Sequence, residues 1–100
     1  MSDTKFTPPP WLIQDGFSEG FEVYAETPDN IGYYEIAEIK DLEHETEANA
    51  NLIAAAPDMY EALRVAEKIL GYLVEEYPGY AKDFHQVKAA AAKARGESNE

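Results

Sequence analysis

The residues from Phe21 to Glu26 alternate without a break: Phe21, Val23 and Ala25 fall on one face, Glu22, Tyr24 and Glu26 on the other. A period of two marks a half-buried strand. Two less regular runs flank it. "WLIQ" at 11–14 reads as a short strand that stops at the Asp15-Gly16 turn signal. "IGYYEIAEI" at 31–39 is rich in β formers. Simple alternation puts its Tyr33, Glu35, Ala37 and Ile39 on one face and Tyr34, Ile36 and Glu38 on the other. "TPDN" at 27–30 is a turn with proline in second place, so the runs at 21–26 and 31–39 are predicted to pair as an antiparallel hairpin. Ahead of the strands, residues 1–10 end in "PPP", which favours an extended arm and cannot join a sheet ladder.

From Asp41 the period lengthens. "DLEHETEANANLIAAA" crowds acids ahead of an apolar run, as the positive end of a helix dipole prefers. A helix is expected to begin between Asp41 and Thr46 and to run to Ala56, burying Leu52, Ile53 and Ala56. Pro57 would cost about 3 kcal/mol inside a helix but almost nothing at the start of one. It therefore reads as the opening of a second helix, 57–77, with Asp58 and Glu61 in its first turn. Met59, Leu63, Ala66, Leu70, Leu73 and Tyr77 form a core-facing stripe on that helix, widened by Ala62, Val65 and Ile69. "PG" at 78–79 ends it, and a third helix over about 80–95 presents Phe84, Val87, Ala91 and Ala94. The short link makes these two helices antiparallel neighbours. The pattern predicts an α+β fold, with a small antiparallel sheet of two or three strands followed by two or three helices packed on it. One domain is expected over 11–95, with an arm at 1–10 and a frayed tail at 96–100.

Charge adds what periodicity cannot. Twenty acids stand against eight Lys and Arg, a net −12. Residues 1–50 hold 12 acids and 2 bases, and residues 51–100 hold 8 acids and 6 bases. Such a first half repels nucleic acid and anionic membrane and attracts a basic protein surface. There is no cysteine, which excludes disulfides and thiol chemistry. The N-terminal sequence lacks the apolar core of a signal peptide, and no run reaches the ~20 apolar residues of a membrane span.

The search for a catalytic constellation ends without one. His44 and Glu47 form an H-x-x-E pair, but two residues do not make a metal site, and the other histidine, His85, reads as a surface or boundary residue on the last helix. The serines lie in the arm, a turn and the tail. No glycine-rich phosphate loop is present. No catalytic residue, metal or cofactor is expected. What stands out is the mixture of acids and tyrosines on the strands. Glu22, Tyr24, Glu26, Tyr33, Glu35 and Glu38 are the elements of one acid–aromatic sheet face. Tyrosine is large, rigid and half polar, which suits an interface.

"NANLIAAAPDMYEAL" at 49–63 resembles a motif, N-A-x-L-I-A-A-A-P-[D/E]-x-x-x-A-L, shared by small accessory proteins of bacteriophages and prophages. The resemblance is tight over Asn49–Leu63, looser over about 31–97, and does not extend to the first 30 residues. It implies a phage accessory protein expressed in the cytoplasm of a bacterial host. It supplies no catalytic residue. By analogy with anti-CRISPR proteins, the expected function is non-enzymatic inhibition of a host complex that handles nucleic acid, with no direct contact to nucleic acid. The partner-binding residues expected are Glu22, Tyr24, Glu26, Tyr33, Tyr34, Glu35, Glu38, Glu43, Glu45 and Glu47. The alternative is a self-assembling module that dimerises through Leu63, Leu70, Leu73 and Tyr77 of the long helix.

Overall fold

A computed structural model of the chain describes residues 6–16, 20–40 and 45–97. The fold is α+β, a three-stranded antiparallel sheet followed by three α-helices. The chain divides into two compact units, Met1–Pro57 and Asp58–Glu100.

The first unit holds β1 (Leu12–Asp15), β2 (Phe21–Glu26), β3 (Tyr33–Ile39) and α1 (Thr46–Ala54), with the strands in the order β1-β2-β3. The β2–β3 hairpin closes through the expected turn. The Asn30 N–H donates to the Thr27 carbonyl at 2.9 Å, and the Thr27 N–H donates to Gly32 O at 3.1 Å. The Asp29 carboxylate accepts from the Ile31 N–H at 3.1 Å and from the Thr27 hydroxyl. Asn30 takes the left-handed conformation, φ 62°, that its short polar side chain tolerates.

The pairing of β3 departs from simple alternation. Val23 stands opposite Ala37, but Tyr24 stands opposite Glu35. Ile36 is therefore an extra residue on β3, a β-bulge, and the alternation changes phase across it. Tyr34, Ala37 and Ile39 share the face of Ala25, Val23 and Phe21. Tyr33, Glu35 and Glu38 share the face of Glu26, Tyr24 and Glu22. The division expected from the sequence of β3 alone is thus corrected on both sides of Ile36.

Val23 and Ala25 are buried, and α1 packs on all three strands through Thr46 and Ala50, with Ile53 half-buried. Leu52 and Ala56, expected in this core, are exposed; Leu52 keeps 59% of its surface. The buried stripe lies one step round the helix, on the positions of Thr46, Ala50 and Ile53. Small residues dominate, which lets helix and sheet approach closely.

α2 spans Ala56–Glu76, and buried Pro57 is its second residue. The N–H that proline lacks falls in the first turn, where no intrahelical acceptor exists. α1 has already ended, with Ala55 donating to Asn51 O at 3.0 Å. After α2 a single 3-10 turn, Pro78–Tyr80, leads into α3 (Ala81–Ala94). In the second unit Tyr60, Ala91 and Ala92 are buried. Leu63, Ala66, Leu70, Leu73 and Val74 are half-buried, whereas Met59, Val65 and Ile69 remain 48%, 56% and 52% exposed. The apolar arc of α2 is wider than the side that α3 covers.

α3 ends in a Schellman cap. Gly96, at φ 81°, donates to Lys93 O at 2.9 Å, and the Glu97 N–H reaches back to Ala92 O at 2.9 Å. Gly96 and Glu97, expected in the tail, close the helix instead.

Two glycines in this unit have opposite predicted effects. Gly96→Ala forces a side chain into the left-handed region and is expected to lower stability by about 1 kcal/mol. Gly71 lies inside α2, and a methyl there would meet the Phe84 ring at an ordinary 3.6 Å. Gly71→Ala is expected to raise stability by about 1 kcal/mol through helix propensity. Urea unfolding of the two variants, with the midpoints moving in opposite directions, checks both.

Candidate partner-binding face

The bulge assembles the acid–aromatic face. Across the sheet, Gln14, Glu22 and Glu38 align in one row, Leu12, Tyr24 and Glu35 in the next, and Glu26 pairs with Tyr33. The Tyr24 and Tyr33 rings meet edge to face, with centroids 5.2 Å apart at 69°. Glu26, Glu35 and Glu38 are exposed, Tyr33 is 43% exposed and Tyr24 is half-buried.

Glu22 is a correction. Expected among the exposed carboxylates, it is only 3% exposed. Its neighbours cover it and replace the water it has lost. Gln14 on β1 donates an amide N–H to Oε1 at 2.5 Å, and Glu35 and Tyr33 on β3 add side-chain hydrogen bonds. The side-chain hydrogen bond to Glu22 holds Glu35 above its ordinary range, helped by lost hydration and by the charges of Glu22 and Glu38. The same bond, followed by that from Gln14, holds Glu22 below its own.

Tyr34 is exposed but pairs with Ala25, so it belongs to the opposite face and is not brought together with Tyr24 and Tyr33. Glu45 and Glu47 are exposed at the start of α1; Glu45 caps that helix in a left-handed conformation, φ 68°. Glu43 and His44 lie outside the described residues. Among the described residues no group of three or more His, Asp or Glu is placed to hold a metal. His85 is exposed beside Phe84. Of the alternative dimer residues, Leu63, Leu70 and Leu73 are half-buried on α2, and Tyr77 is 57% exposed with its ring edge-on to Tyr80. Sequence reading missed Gln14. The signal was present, since antiparallel pairing of 11–14 with 21–26 sets an amide opposite one of the acids, but the register had to be known first.

The opposed shifts of Glu22 and Glu35 give a pH dependence with a definite sign. Glu35, with its pKa raised, contributes stability while protonated and loses it as pH rises through that raised value. Glu22, with its pKa lowered, contributes above the ordinary value of 4.5 and loses it as pH falls through the lowered one. The bonded pair is complete only between the two. Glu35→Gln keeps a donor facing Glu22 at every pH. Its stability is expected to fall less than that of the parent chain between mildly acidic and neutral pH. General repulsion acts on both proteins, so the difference between their urea-midpoint profiles isolates the pair; parallel profiles would contradict the coupling of Glu22 with Glu35.

No helix among the described residues is long and apolar enough to cross a membrane. No curated protein and no solved structure matches the chain. A sequence profile of one family does, and it covers residues 1–98, including the first 30 residues that the motif resemblance left out. The chain belongs to the phage family described as Salmonella phage P22 protein Y8K6.

Proposed function

We propose that the chain is a non-enzymatic phage protein that works in the bacterial cytoplasm by occupying a basic surface of a host protein complex. The observation that carries this reading is the bulge at Ile36, which places Glu26, Glu35 and Glu38 around the Tyr24–Tyr33 pair on one sheet face. The carboxylates meet Lys and Arg side chains of the partner, and the tyrosines provide the apolar anchor. Glu22 takes no direct part; it supports Glu35 from below. The net −10 of residues 1–57 speeds encounter with a basic groove and disfavours nucleic acid itself. A groove that handles nucleic acid, in a defence complex of the anti-CRISPR-target kind, is the partner this chemistry fits, and the mechanism is competition for that groove.

The second reading, a self-assembling module, draws support from α2, where Met59, Val65, Ile69 and Tyr72 remain about half exposed or more. It shifts the contact round the helix from Leu63, Leu70 and Leu73 toward those side chains.

One set of variants separates the two. Glu26→Lys, Glu35→Lys and Glu38→Lys together are expected to weaken capture of the host complex from lysate by roughly a hundredfold or more, with circular dichroism unchanged. Capture by the parent protein should also be lost at high salt. Undiminished capture by the triple variant would sink the acidic-face reading. For the alternative, sedimentation over a concentration series should show an oligomer that Ile69→Glu disperses.

A further inference from the structure

We infer that the groove between α2 and α3 is a binding site for a mononucleotide, a small anion that carries a flat aromatic ring. The groove belongs to the second unit alone and is independent of the sheet face. It is an open surface groove of about 390 Å³.

Its charge is the first argument. In a chain of net −12, Arg64, Lys68 and Arg95 all line this groove. Lys68 makes no ion pair among the described residues. Arg64 is held only loosely, 3.5 Å from Glu61. Arg95 is fixed in place: Nη1 donates to the Tyr60 hydroxyl at 3.3 Å, and Nε and Nη2 donate to the two Glu97 oxygens at 3.0 and 3.2 Å. That fork geometry is the one a phosphate takes. The Glu97 carboxylate therefore occupies part of the seat that a phosphate would claim, and the Schellman cap holds it there.

The walls are the second argument. Tyr72, 69% exposed, and Phe84 give the groove flat aromatic surfaces. Gly71, which packs close to the Phe84 ring, also lines the groove. Glu67 and Glu75 also line the groove. They would repel a bare carboxylate peptide, but they can accept hydrogen bonds from the amino groups of a nucleobase. A long nucleic acid would meet the surrounding acids and be repelled, whereas one nucleotide carries its charge only where the cations are.

The test is a titration of the isotope-labelled full chain with AMP, adenosine, inorganic phosphate and hexaglutamate, followed by amide chemical shifts at low salt. AMP is expected to move the amides of Lys68, Gly71 and Tyr72, and adenosine and phosphate are each expected to bind at least about tenfold more weakly. Lys68→Glu and Tyr72→Ala alter exposed side chains and should each weaken AMP about tenfold or more with the rest of the spectrum unchanged. Glu97→Gln should strengthen AMP binding by freeing the Arg95 fork. The proposal is overturned if AMP moves none of these amides, if phosphate alone binds as well, if binding survives both Lys68→Glu and Tyr72→Ala, or if hexaglutamate or a short single-stranded DNA binds the groove more tightly than AMP.

Discussion

A carboxylate taken out of water must be given back the hydrogen bonds that water supplied. Glu22 meets that constraint at the centre of the sheet, and the way it does so organises everything displayed around it. Its three partners come from both neighbouring strands, Gln14 from β1 and Tyr33 and Glu35 from β3. The pairing of β2 with each neighbour is thus checked by side-chain chemistry as well as by the backbone ladder. A slip of either strand by one residue would leave Glu22 buried without its donors. The polar network adds register specificity to a core whose buried residues are mostly small.

The two units answer different physical demands. The first carries nearly all the excess charge, and its acids surround a compact aromatic pair. The second is close to neutral, with 8 acids and 6 bases over residues 58–100. There the burden falls on α2, whose apolar arc is half-buried on one side and meets water on the other. A chain this short has little surface to spare for burial. An exposed apolar side on its longest helix is therefore a real cost, and its persistence is the physical reason to consider a contact there.

Much of the fold was legible because local chemistry and periodicity agreed. The alternation of 21–26, the turn at 27–30, the phase change after residue 40 and the punctuation at Pro57 each predict their element within a few residues. The composition of the acid–aromatic face was legible too. What alternation within β3 could not reveal was the bulge, because a bulge is a relation between two strands. The burial of Glu22 was hidden for the same reason: glutamate on a strand reads as exposed until its neighbours are known. On α2 the periodic stripe was correct in kind but too generous, since sequence gives the width of an apolar arc and not how much of it a single neighbouring helix can cover. The Arg95–Glu97 fork was invisible because a glycine near a chain end reads as fraying unless its cap is seen.

The bulge also sets how this strand tolerates change in length. Ile36 faces no partner of its own, and the residues on either side of it already agree with β2 about which face they occupy. Loss of that one position in a relative would restore a regular ladder and leave the display unaltered. Gain or loss of one residue elsewhere in β3 would act like a frameshift, exchanging inner for outer side chains from that point to the nearest strand end. β3 thus has one neutral site for length variation, and family members that differ in β3 length are expected to differ there.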